Sequence, residues 1–127
     1  MEPVFVVILV ALIGYLGLAG MVGRARVAHG VRAPAMTGHP DFERVNRIHQ
    51  NTLENLIVFI PAVWIFGMYL SPLWAAALGV AFILARVVYA VGYLRSAEKR
   101  GPGAGLTGLV NVALIIGGLV GLVRAML

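Results

Sequence analysis

The chain has 127 residues, of which 61% are hydrophobic and only 12% are charged, and its mean hydropathy is +0.94. A soluble domain of this size is not so apolar, so we expect an integral membrane protein. The net charge of +5 does not indicate a nucleic-acid partner, because the basic residues lie at the ends of apolar spans and inside them instead of forming one exposed stripe.

Four apolar windows are long enough to cross a hydrocarbon core of about 30 Å. They predict an all-α membrane protein, an antiparallel bundle of four transmembrane helices that forms one domain over residues 1–127. The expected helices cover about residues 4–26, 42–70, 73–100 and 106–125. No basic residue precedes the first apolar run and no cleavage pattern follows it, so we interpret it as a retained helix and not as a signal peptide.

Charge predicts the orientation of the bundle. Several arginines lie in the connection between helices one and two, and Arg95, Lys99 and Arg100 lie near the end of helix three. The turn at Ser71–Pro72 carries no charge. By the positive-inside rule, the two basic loops face the cytoplasm and both termini lie on the opposite side. In a bacterium this would be the inner membrane.

The segment FERVNRIHQNTLE, residues 42–54, runs directly into the apolar part of helix two. At about 100° per residue, its polar side chains and the next residue fall within a sector of about 100°. This face consists of Arg44, Arg47, Asn51, Glu54 and Asn55. A polar face that enters a membrane indicates a site and not merely an anchor.

Helix three carries a second polar stripe, in which Arg86, Tyr89, Tyr93 and Arg100 fall within about 60° of one another. An ionised side chain at membrane depth is costly unless it is paired, and Glu54 and Arg86 lie at similar depths. We therefore expect a structural ion pair between them, formed directly or across a subunit boundary. The sequence leaves open whether this ion pair only fixes the packing of the bundle or also belongs to a ligand site.

Several cationic side chains surround one carboxylate, which suits a small ligand with several anionic groups and one ammonium. A metal site is not expected, because His29, His39 and His49 look too scattered in sequence and there are no cysteines. The run GPGAG, residues 101–105, is interpreted as a linker that ends helix three. It lacks the preceding strand and the Lys-Ser/Thr ending of a phosphate loop.

FERVNRIHQNTLE resembles the helix-two signature of the MAPEG family, membrane-associated proteins in eicosanoid and glutathione metabolism. RVVYAVGYLRSAEKR, residues 86–100, resembles the helix-three signature of the family's leukotriene-forming branch without a gap. The resemblance covers most of the chain and implies a bacterial-type member that forms a homotrimer of four-helix subunits. It also implies that glutathione binds as cosubstrate between neighbouring subunits, and that lipids and a lipophilic substrate from the bilayer are partners.

At matching positions, the resemblance assigns glutathione binding to Arg26, Arg47, Asn51, Glu54, Tyr89, Tyr93 and Arg95. Arg100 matches the arginine that activates the thiol and would be the catalytic residue. A guanidinium beside a thiol lowers its pKa from about 8.5 by stabilising the thiolate. The implied activity is a glutathione transferase or peroxidase acting on a lipophilic electrophile or hydroperoxide.

The chain departs from the family pattern at three positions. Asn55 stands where the leukotriene branch has a tyrosine, Gln50 where the prostaglandin branch has an arginine, and Val112 replaces the aromatic residue that clamps a lipid on helix four. An eicosanoid substrate is therefore not implied. The alternatives are a non-catalytic lipid-binding or scaffolding member of the family and a small multidrug transporter. The latter class needs a carboxylate within helix one, and there is none between Val4 and Gly23.

Overall fold

The computed structural model describes residues 1–127 as four long helices without any strand. The helices are α1 (Glu2–His29), α2 (Pro40–Tyr69), α3 (Pro72–Arg95) and α4 (Gly101–Met126). Each is long and apolar enough to cross a membrane. The predicted all-helical, multi-pass membrane protein is therefore confirmed.

Local sequence explains where α2 and α3 begin. Each has a proline in its first turn, where the missing N–H group costs no helical hydrogen bond. The N-cap of α2 is His39, whose Nδ1 accepts a 3.1 Å hydrogen bond from the Asp41 N–H group. The N-cap of α3 is Ser71, whose Oγ accepts one of 3.2 Å from Trp74. These caps fix the points at which the chain re-enters the bundle.

Close approaches between helices define their directions. Gly67, near the end of α2, lies against Val4 at the start of α1, so these two helices are antiparallel. Near the end of α4, Gly117 lies against the ring of Phe66, near the end of α2, so α4 runs parallel to α2. The core between the helices is apolar and includes a stacked pair of rings, Phe59 and Phe82, with centroids 3.9 Å apart.

The predicted boundary between helices three and four is wrong. Helix α3 ends at Arg95, a short 3-10 helix covers Ala97–Arg100, and the supposed linker from Gly101 onward is already the first part of α4. The glycine at position 103 serves a close approach, because a Cβ there would collide with the backbone of Tyr89. The run GPGAG thus brings α4 against α3 and does not separate them.

Much of α1 is left without cover from its own chain. Its buried residues all lie between Val4 and Ala11. Farther along, Ile13 and Leu16 are 67% and 68% exposed, and a Cβ added at Gly14 or Gly17 would meet no atom within 4 Å. This surface is open to lipid or to another copy of the chain.

Candidate functional site

The predicted stripe of helix three is a continuous row of contacts in the structure. The Arg86 guanidinium lies 4.2 Å from the ring centroid of Tyr89, and the Tyr89 and Tyr93 centroids are 5.7 Å apart. Arg100 then lies over Tyr93, with its Cζ 5.7 Å from the ring centroid. Because α3 ends at Arg95, the 3-10 helix returns Arg100 to this row, where a continuous helix had been expected to place it.

Arg47 and Glu54 project from α2 toward the outside of the chain. Arg47 Nη1 donates to Glu54 Oε1 at 3.4 Å, and their side chains are 49% and 59% exposed. These residues are two helical turns apart, as their predicted common face requires. An ion pair this exposed leaves most of both charged groups free for a ligand.

The expected pair between Glu54 and Arg86 does not form within the chain. Arg86 instead donates from Nη2 to Asn51 Oδ1 at 2.8 Å and from Nη1 to Thr107 Oγ1 at 3.4 Å. Glu54 pairs with Arg47 because its carboxylate faces outward, whereas the Arg86 side chain is buried among the helices. Glu54 and Arg86 lie at similar depths along their helices, but their side chains point in different directions around the helix axes.

A polar network that the sequence reasoning missed lies behind this site. Asn55 donates to Asn51 Oδ1 at 3.2 Å, and Asn111 of α4 donates to Asn55 Oδ1 at 3.3 Å. Thr107, one helical turn before Asn111, accepts from Arg86 and donates to the carbonyl oxygen of Gly103 at 2.7 Å. Two polar residues four positions apart in the apolar middle of α4 were the signal that could have revealed it.

Arg26 and Arg95 lie apart from these contacts. Arg26 donates to the carbonyl oxygen of Ala35 at 2.7 Å and lies 4.7 Å from the ring centroid of Phe42, so within the chain it holds the loop between α1 and α2. Arg95 is exposed at the end of α3 and forms no hydrogen bond or ion pair. The chain alone does not gather all the arginines of the predicted site.

A shallow cavity of about 270 Å³ opens between α2, α3 and the first loop. Its lining residues are Met36, Glu43, Asn46, Arg47, Gln50 and Tyr93. The ring of Tyr93 therefore borders both this cavity and the guanidinium of Arg100. One cation, Arg47, one carboxylate, Glu43, and several hydrogen-bonding groups surround a space large enough for part of a polar ligand.

The expectation that the histidines are scattered is wrong for two of them. His29 and His39 stack with ring centroids 3.9 Å apart, and Asp41 lies close enough that one ligand atom from each residue falls within 4.8 Å of the others. An imidazole binds a metal through a lone pair in its ring plane, so two stacked rings would have to reorient to share an ion. The absence of a resident metal stays a prediction.

Known proteins resemble this chain over most of its length. The model of the MAPEG family matches residues 4–120. An uncharacterized protein of Synechocystis sp. is 49% identical over 83% of this chain and 77% of its own length. Microsomal glutathione S-transferase 2 of Mus musculus is 43% identical over 78% of this chain and 70% of its own. Leukotriene C4 synthase of Cavia porcellus is 42% identical over 61% of this chain and 51% of its own length.

Proposed function

The chain belongs to the MAPEG family, and on that premise we propose that it is a membrane glutathione transferase whose thiol-activating residue is Arg100. The observation that carries the proposal is the position of Tyr93. Its ring borders the cavity that contains Arg47 and also lies beneath the guanidinium of Arg100. One ligand seated against Tyr93 can therefore reach a binding cation and an activating cation together.

The charges of the site fit glutathione, which carries two carboxylates, one ammonium and one thiol. Arg47 and the other arginines suit the carboxylates, and the outward carboxylate of Glu54 suits the ammonium. Asn51, Tyr89, Tyr93 and Arg95 complete the proposed set. Asn51 Oδ1 already accepts from Arg86, so we propose that Asn51 holds the shape of the site and offers its remaining groups to the ligand.

Arg100 has the freedom that thiol activation requires. Its side chain is exposed, and its hydrogen bond within the chain runs from Nη1 to the carbonyl oxygen of Ala97 at 3.0 Å. A guanidinium beside the glutathione sulfur stabilises the thiolate, so the proton leaves to water and the sulfur becomes nucleophilic at neutral pH. The thiolate attacks a carbon atom of the electrophile and forms a sulfur–carbon bond. The electron pair of the bond that breaks passes to the leaving group or, if the electrophile is an epoxide, to the epoxide oxygen.

A hydroperoxide is the second substrate class in the proposal. The thiolate attacks the terminal oxygen of the peroxide, the O–O bond breaks, and the other oxygen takes a proton and leaves as an alcohol. The sulfur is then a sulfenic acid. The thiol of a second glutathione attacks this sulfur, which releases water and forms glutathione disulfide. Both chemistries need the same thiolate, and a screen of electrophiles and lipid hydroperoxides with glutathione separates them by product.

We also propose that the working unit is a homotrimer with the site between subunits. The side chain of Glu54 is 59% exposed at a depth where a carboxylate facing lipid would be costly, so a neighbour or a ligand must cover it. The open surface of α1 offers the area for such contact. Arg26, which ends that surface, would reach the site of the adjacent subunit.

Subunit mixing tests this arrangement. Trimers containing both Arg26→Ala and Arg100→Ala chains should regain part of the activity that each variant lacks alone, because some sites then combine an intact Arg26 with an intact Arg100. If all the catalytic residues came from one chain, mixing would restore nothing.

For orientation we propose that the Arg100 end of the bundle faces the cytoplasm, in bacteria at the inner membrane. Labelling of cysteines engineered into the loops would test this.

The decisive test of the function is thiolate formation. Glutathione added to the purified protein should raise thiolate absorbance in the ultraviolet, and Arg100→Ala should abolish the rise while leaving the oligomer intact. Lys99→Ala is the matched control, since Lys99 is the adjacent exposed cation and holds no ligand in the proposal. If the native protein produced no rise, a non-catalytic lipid-binding or scaffolding role would replace the catalytic one.

A further inference from the structure

One methionine differs from the others in the surroundings of its sulfur. Met36 belongs to the first loop, residues 30–39, between α1 and α2, and is 49% exposed. Its sulfur accepts a hydrogen bond from Asn46 Nδ2 at 3.7 Å and a weaker one from Gln50 Nε2 at 3.9 Å. No donor lies within hydrogen-bond distance of the sulfur of any other methionine in the chain.

Two amide groups are thus held against a thioether, which is a weak acceptor. Asn46 is only 7% exposed, and the contact with Met36 is the one hydrogen bond of its side chain. An oxygen atom in the same place would accept from both N–H groups far better than sulfur does. Oxidation supplies such an atom, because the oxygen of a sulfoxide takes the position of one of the sulfur lone pairs.

We propose that Met36 is a redox modification site, at which a hydroperoxide converts the thioether into a sulfoxide that fastens the first loop to α2. A sulfur lone pair attacks the terminal oxygen of the hydroperoxide and forms the sulfur–oxygen bond. The O–O bond breaks, and the other oxygen takes the proton of the terminal oxygen and leaves as an alcohol. The sulfur loses two electrons and the peroxide gains them. This step does not rest on the proposed glutathione reaction.

The position of the two amides favours the reaction at Met36. Negative charge builds up on the peroxide oxygens as the O–O bond breaks, and N–H donors already fixed around the sulfur stabilise that charge. The oxidant has access, because Met36 lines the shallow cavity between α2, α3 and the first loop. Arg47 lies in the same wall and adds a positive charge. Met36 should therefore react faster than its exposure alone predicts.

The modification would strengthen the attachment of the first loop to the bundle. Arg26 Nη1 donates to the carbonyl oxygen of Ala35 at 2.7 Å, and the Gly38 N–H group donates to Glu43 Oε2 at 3.3 Å. Met36 lies between these two points, and its own hydrogen bonds to α2 are the weak ones to sulfur. Methionine oxidation commonly disrupts the packing around it. Here the sulfoxide oxygen gains two donors, so we expect a firmer loop.

Peptide mass spectrometry after limited exposure to tert-butyl hydroperoxide tests the selectivity. Met126 is the matched comparison, since it is 78% exposed beyond Arg124 at the end of α4 and its sulfur has no donor. We expect Met36 to be oxidised several times faster than Met126, and Gln50→Leu, which removes one amide, to narrow the difference. Equal rates in the native protein, or an unchanged difference in Gln50→Leu, would overturn the proposal.

Trypsin cleavage measures the attachment of the loop. Arg32 is an exposed tryptic site in the loop, and Lys99, in the exposed 3-10 helix, is the internal reference. Cleavage after Arg32 should slow several-fold in the oxidised protein while cleavage after Lys99 stays unchanged, and reductases of both sulfoxide epimers should restore the original rate. In Met36→Leu, the same oxidation should change neither rate. Unaltered or faster cleavage after Arg32 in the oxidised native protein would show that the sulfoxide does not fasten the loop.

Discussion

The Arg86 guanidinium donates a 2.8 Å hydrogen bond from Nη2 to Oδ1 of Asn51, and this bond joins α3 to α2 inside an otherwise apolar bundle. The same oxygen accepts from Asn55, which in turn accepts from Asn111 of α4. Asn51 is therefore the junction through which three helices share one polar network. Its amide has a structural task in addition to the proposed contact with glutathione.

Asn51→Ala should lower the free energy of unfolding by about 1–3 kcal/mol, because it leaves a buried guanidinium N–H without an acceptor. Reversible denaturation in mixed micelles measures this change. Gln50→Ala is the control, since the only side-chain hydrogen bond of Gln50 is a weak one of 3.9 Å to the sulfur of Met36. Equal destabilisation by the two substitutions would contradict the role assigned to Asn51.

Glu54→Gln should separate ligand binding from stability. The exposed pair between Arg47 and Glu54 contributes at most about 1 kcal/mol to folding, so unfolding should change little. Glutathione affinity, measured by titration calorimetry, should fall by about tenfold because the ammonium loses its ionic partner. Glu98→Gln removes a carboxylate at the exposed 3-10 helix and should leave the Kd unchanged. An unaltered Kd in Glu54→Gln would remove Glu54 from the site.

Alanine at two nearby glycines should have opposite effects. Gly103→Ala places a methyl group against the backbone of Tyr89 and should destabilise the bundle by about 1–3 kcal/mol. It should also reduce turnover, since α4 and the preceding Arg100 must shift. Gly105→Ala meets no atom within 4 Å and should stabilise α4 by up to about 1 kcal/mol. Thermal unfolding and turnover of both variants check this. Unchanged stability and turnover in Gly103→Ala would refute the close approach between Gly103 and Tyr89.

Zinc should leave the thermal stability of the protein unchanged. The stacked arrangement of His29 and His39 does not present both lone pairs to one ion, although Asp41 is nearby. Unfolding temperatures measured with and without ZnCl2, against a chelator control, test this expectation. A rise that disappears in His29→Gln, but not in His49→Gln, would establish a metal site and contradict it.

Hydrophobic length and periodicity were sufficient to predict the four helices and the common face of Arg47 and Glu54, because both follow from local geometry. The partner of Arg86 could not be predicted in the same way. Depth along a helix follows from counting residues, but the rotation that turns Arg86 toward Asn51 and away from Glu54 depends on how the helices pack.

The junction of α3 and α4 shows a second limit of sequence reasoning. Gly101, Pro102 and Gly103 have the composition of a linker, yet proline is tolerated in a first helical turn and Gly103 is needed where two backbones meet. Only the tertiary contact with Tyr89 distinguishes the two uses of glycine. The meeting of His29 and His39, ten positions apart, likewise depends on the path of the first loop.

Because α4 starts directly after Arg100, the guanidinium that we propose activates the thiol should be sensitive to the membrane itself. Helices tilt when the bilayer becomes thinner or thicker than their apolar length. A change in the tilt of α4 would move Arg100, which precedes it, and with it the charge that is proposed to face the sulfur of glutathione. Lipid chain length should thus adjust the turnover of this protein without any change in the composition of its site.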